Sequence, residues 1–174
     1  LTVFKEKLYF KSNACNGLSW YDGTALGCLQ SGASISISSP ASHLKVMGDY
    51  LYFQAYGAGY GYELWKSDGT SAGTSLVKDI SSGGSSYPVY LTVMNGNLFF
   101  YADDGVHGKE LWKSDGTAAG TVLVKDIASG SGSSYRGTEV PYFKFIAAVN
   151  GTLFFVADDG INGLELWKSD GTPA

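Results

Sequence analysis

The sequence predicts an all-β protein, a β-propeller of four-stranded antiparallel blades with about four repeat units, the last one incomplete. Three observations predict it. An aromatic block returns four times: LTVFKEKLYFKS at Leu1–Ser12, LKVMGDYLYFQA at Leu44–Ala55, LTVMNGNLFFYA at Leu91–Ala102 and IAAVNGTLFFVA at Ile146–Ala157. Starts at 1, 44, 91 and 146 are 43, 47 and 55 residues apart, close to the length of a propeller blade. A second block, ELWKSDGT, follows at Glu63–Thr70, Glu110–Thr117 and Glu165–Thr172. No window shows the 3.6-residue apolar period of a helix.

The chain divides into one repeat domain, 1–174, with units 1–43, 44–90, 91–145 and a partial 146–174. Within a unit, LTVM is the first strand and NLFFYA the second. Asn95-Gly96 and Asn150-Gly151 join these strands, because Asn-Gly tolerates the positive φ at both central positions of a two-residue hairpin. KELWKS is the third strand, closed by Asp-Gly at 68–69, 115–116 and 170–171. TVLVKDI is the fourth, and a Ser/Gly loop such as Ile80–Ser86 leads onward. The run Leu98-Phe99-Phe100 is apolar at successive positions, as expected of strands covered on both faces. A β-solenoid ranks second, because tight Asn-Gly and Asp-Gly turns demand antiparallel pairing; a sandwich ranks third.

The last unit has no AGTxLVKDI block after Thr172, so the count of strands falls one short of four units of four. Either a four-bladed ring closes imperfectly or the chain is a piece of a longer repeat array. An open strand edge invites pairing with another copy. The longest step reflects an insertion around Arg136–Phe143.

Composition narrows the function. Charged residues are 16% and aromatics 14% of the chain, with 24 glycines, too apolar for disorder. No stretch of ~20 apolar residues is present to span a bilayer as a helix. Twelve basic residues oppose sixteen acidic ones. The lysines are dispersed and Arg136 is the only arginine, so no basic stripe exists to displace counterions from a nucleic acid. Cys15 and Cys28, without a nearby His, are expected to form a disulfide stapling the divergent first unit; two buried thiols are the alternative. An exported protein suits that chemistry.

At the block ELWKSDGT the chain resembles the bacterial ELWxxDGT-repeat proteins, over roughly Leu44–Thr172. The downstream GTxLVKDI of the second and third units extends the match, whereas the first unit carries only LSWYDGT at Leu18–Thr24. The resemblance implies an extracellular or cell-surface location, a propeller-like fold, and no assigned activity.

Candidate sites follow from the repeats. Asp103, Asp104 and Glu110, with Asp158, Asp159 and Glu165, place carboxylates in a Gly-rich loop, the ligand type calcium takes. The competing reading is that these aspartates form turns, since the second unit reads Ala55-Tyr56-Gly57-Ala58 there. No other cofactor is suggested. The Glu of each ELW shares a strand face with Trp, and a buried Glu needs a partner; Lys78 and Lys125 are candidates. Its recurrence argues against catalysis, and no nucleophile motif is present. An enzyme is therefore not expected; the Arg136–Glu139 insertion is where one would have to lie. Tyr56, Tyr60 and Tyr62, with Tyr87 and Tyr135 in the connections, are candidates for stacking on a ligand. The function expected is a non-enzymatic surface or secreted module, structural or adhesive, associating with itself or other extracellular proteins. The alternative is a carbohydrate-binding propeller.

Overall fold

A computed structural model describes residues 1–12, 17–29, 42–135 and 146–172. They form fifteen β-strands in four antiparallel sheets, with no helix among the described residues. Sheet one holds β1 (Thr2–Phe4), β2 (Lys7–Ser12), β3 (Gly17–Tyr21) and β4 (Leu26–Leu29). Sheet two holds β5 (Ser42–Met47), β6 (Tyr50–Gly57), β7 (Gly61–Ser67) and β8 (Thr74–Lys78). Sheet three holds β9 (Val89–Met94), β10 (Asn97–Asp103), β11 (Lys109–Ser114) and β12 (Val122–Lys125). Sheet four has three strands, β13 (Ile146–Val149), β14 (Thr152–Asp158) and β15 (Leu164–Ser169). Every sheet is a meander in chain order, as the hairpin turns require.

The turn chemistry is visible in the backbone. Asn95 and Gly96 have φ of 50° and 73°, and Asn150 and Gly151 have 49° and 75°, the pair of positive angles a two-residue hairpin needs. The first unit makes the same turn with Lys5 and Glu6 at 47° and 61°. No sequence signal marks that pair.

Successive side chains of a strand point to opposite faces, and here each face meets a different neighbour. Leu51 and Phe53 pack toward sheet one with Phe4, Tyr9, Leu18 and Trp65. Tyr52, between them, points the other way and joins Leu98, Phe100 and Trp112 of sheet three. Phe99, Tyr101 and Leu111 then face sheet four and meet Leu153 and Phe155. The apolar runs are thus explained by two-sided burial, and each fully buried Leu or Phe contributes about 1.5–3 kcal/mol. The first strands also adjoin one another, β1 against β5, β5 against β9 and β9 against β13.

A bulge recurs at the Leu-Trp step of ELW. Leu64 pairs with Lys78 but Trp65 with Leu76, and Leu111 pairs with Lys125 but Trp112 with Leu123. The extra residue is Val77 or Val124, both buried. A bulge sharpens strand twist, and its repetition keeps the units alike.

Among the described residues the sheets do not close into a ring, because sheets one and four each leave one face exposed. Cys28 lies on β4; Cys15, the other half of the expected disulfide, lies outside the described residues, as does the insertion around Arg136–Phe143. Among the described residues there is accordingly no helix long and apolar enough to cross a membrane.

Candidate functional site

The connection between sheets carries the recurrent polar residues. Glu63 on β7 and Glu110 on β11 are fully buried. Glu63 accepts hydrogen bonds from the amides of Ile80 (3.1 Å), Ser81 (3.4 Å) and Ser86 (3.0 Å), and from the Ser86 hydroxyl (2.5 Å). Glu110 accepts from the amides of Ile127 (3.2 Å), Ala128 (3.1 Å) and Ser134 (3.1 Å). The carboxylate therefore gathers the loop that follows the fourth strand. This corrects the expected pairing with lysine: Lys78 Nζ instead donates to Thr121 O at 2.8 Å. Burial pushes both glutamates above the ordinary carboxylate range, against the hydrogen bonds, which favour the charged form.

The gathered loop also grips the next sheet. Asp103 N donates to Ser86 O and Asp158 N to Ser134 O, both at 2.9 Å. The loop is also tied back to the sheet it leaves: Ser85 Oγ accepts from Tyr62 N, and Ser133 Oγ from Lys109 N, both at 3.0 Å. The recurring Ser-Ser-Tyr, at 85–87 and 133–135, was the sequence signal for this clamp.

The tyrosine of that triplet begins an aromatic row. Tyr56 and Tyr62 meet edge to face at 5.3 Å, and Tyr62 stacks on Tyr87 at 5.2 Å. The Lys109 ammonium lies 5.8 Å from the Tyr87 ring and 5.7 Å from Tyr135, a cation–π bridge. Tyr135 in turn stacks on Tyr101 at 4.9 Å, meets Tyr90 at 5.5 Å and donates its hydroxyl to Tyr90 at 3.2 Å. Four of the five expected tyrosines, Tyr56, Tyr62, Tyr87 and Tyr135, thus share one row. Tyr60 is exposed at the neighbouring β6–β7 turn.

Tyr90, grouped by sequence with Tyr87 and Tyr135 among the tyrosines of the connections, lies beside His43, which no sequence motif marks. Their rings lie 5.6 Å apart, and they line a cleft of about 390 Å³ with Leu44, Lys45, Thr92 and Ile146, along the first strands of sheets two to four. Tyr87, Tyr90 and His43 hold φ of 46°, 58° and 61°. Positive φ is unfavourable for such side chains, and strain of this kind concentrates at functional sites.

The acidic candidates serve turns. Asp103 Oδ1 accepts from Gly105 N at 2.8 Å, and Asp104 Oδ1 from Val106 N and His107 N. Asp158 and Asp159 repeat this with Gly160, Ile161 and Asn162. Asp104 Oδ2 lies 2.7 Å from His107 Nδ1, and that contact raises the imidazole pKa. Glu110 is held inside the loop and Glu165 is exposed. No three acidic, histidine or cysteine side chains among the described residues are placed to hold a metal ion, so the six candidates are not brought together.

No family model and no curated protein matches this chain.

Proposed function

We propose that the chain is a non-enzymatic module of an exported repeat protein, with a structural or adhesive role, whose sheets follow the radial plan of a propeller. The observation that carries this reading is how its recurrent polar groups are used. Glu63 and Glu110 organise loops, and the DGT aspartates cap turns: Asp68 Oδ1 accepts from Thr70 N and Asp115 Oδ1 from Thr117 N, both at 2.8 Å. The Ser67–Thr74 and Ser114–Thr121 hydroxyls bond each other at 2.7 Å. Groups repeated identically in successive sheets build architecture, and apolar end faces remain for contact. Resemblance to ELWxxDGT-repeat proteins supports the surface location. Fractionating the producing cells with an antibody against the chain tests it. Recovery from the surface or the medium is expected, and recovery from the cytoplasm alone would refute it.

A carbohydrate-binding module is the second reading, favoured by the Tyr62–Tyr87 stack, the exposure of Tyr60 and Tyr87, and the Lys109 ammonium beside them. A pyranose ring stacks its C–H face on such a surface, and the ammonium donates to its hydroxyls. Saturable glycan binding lost in Tyr87→Ala supports it; a blank glycan array removes it.

A further inference from the structure

The outward faces of sheets one and four are halves of the interface that the molecule already makes between its own sheets. On sheet four, Leu166 occupies the position of Leu64 and Leu111, and Val149 that of Met94. Leu111 is 1% exposed and Met94 5%, whereas Leu166 is 73% and Val149 52% exposed. On sheet one, Val3 occupies the position of Val46 and Val93, which pack against the preceding sheet, yet Val3 is 69% exposed. Leu26, Tyr21 and Leu1 are exposed with it.

The specific contacts also have matching halves. At each internal interface the second strand aims an aromatic ring at the glycine of the next DGT turn. A Cβ at Gly69 would meet Tyr9, one at Gly116 would meet Tyr52, and one at Gly171 would meet Phe99. Lys66 Nζ donates to Gly116 O at 2.8 Å and Lys113 Nζ to Gly171 O at 3.0 Å. Phe154 and Lys168 hold the corresponding positions on sheet four, where Lys168 is exposed. Gly23, the DGT glycine of sheet one, has no atom within 4 Å of where a Cβ would lie.

We propose that a second copy of this chain seats its sheet one on sheet four, so that Phe154 covers the copy's Gly23 turn, Lys168 bonds its carbonyl, and Leu166 and Val149 meet the copy's sheet one. This rests on the reading of the chain as a contact module and names its partner. The contact is face to face, as between the internal sheets, rather than strand edge to strand edge. It is heterologous, so it propagates head to tail until a ring closes or a filament grows.

Light scattering on the purified chain over a concentration series tests it, with Val3→Lys and Leu166→Lys, whose exposed positions leave folding intact by circular dichroism. The native chain should exceed 18.5 kDa and grow with concentration, and each variant alone should lose that growth. Mixed, the two variants retain one good face each and should form a one-to-one dimer. An 18.5 kDa particle at every concentration, or growth retained in either variant, overturns the proposal. Surface recovery of a monomeric chain would overturn this contact alone and leave the exported-module reading standing.

Discussion

Replacing Glu110 by Ala should destabilise the protein far more than the same change at Glu165, although both belong to an ELWKSDGT block. Glu110 is fully buried and accepts from three loop amides, Ile127, Ala128 and Ser134. An orphaned buried donor costs about 1–3 kcal/mol. Relaxation of the loop offsets part of this, and so does relief from burying a carboxylate. A net loss of about 3 kcal/mol follows, and a domain of this size melts about 2–4 °C lower per kcal/mol, giving a fall of about 6–12 °C. Glu165 is exposed, so its removal should stay within about 0.5 kcal/mol. Thermal melts followed by near-ultraviolet circular dichroism, on dilute protein, measure both. Equal shifts for the two variants would refute the assignment of Glu110 as the organiser of the loop.

Other outcomes follow from the same structure. Gly116→Ala should cost more than Gly23→Ala in urea melts, since both hold positive φ of 91° and 97°, which costs about 1–2 kcal/mol with a side chain, but only Gly116 faces a tyrosine. Stability should peak in mild acid. Burial raises Glu63 and Glu110, so their contribution is full below the ordinary glutamate value and is lost as pH rises through the raised one. Hydrogen bonds lower Asp68, Asp115 and Asp170, and bring Asp22 to about 2; their contribution is present above the ordinary aspartate value and is lost as pH falls toward 2. Urea melts from pH 7 to pH 2 display both limbs. Chelation should leave the melting midpoint unchanged, because no acidic cluster fit for a metal is present among the described residues. A fall on chelation, restored by calcium, would reverse that.

The repeat makes most of the fold legible in the sequence. Asn95-Gly96, Asn150-Gly151 and the Asp-Gly turns placed the hairpins, and the unbroken run at Leu98–Phe100 announced two-sided burial. The Lys5-Glu6 turn was not legible, because its positive φ is imposed by the strands it joins rather than by residue type. The role of Glu63 and Glu110 was half visible. Recurrence points to a structural role, but the partners are loop amides 17 to 24 residues away, and backbone donors leave no mark in sequence. Tyr56, Tyr62, Tyr87 and Tyr135 stand out in the sequence as separate stacking candidates, not as one row. Its extension through Lys109 to Tyr90 and His43 depends on the connections crossing from one sheet to the next, a tertiary arrangement with no local signature.

Similar units stack face on face through one recurring interface, whose counterpart faces on sheets one and four are exposed. Amide hydrogen exchange read strand by strand at low and high protein concentration tests it most directly. Strands β10 and β11, covered on both faces, should exchange slowly at every concentration. Strands β15 and β1, each paired along one edge only, should exchange faster in dilute solution and gain protection together as concentration rises. Exchange in β10 and β11 as fast as in β15, or protection unchanged by concentration at both ends, would contradict it.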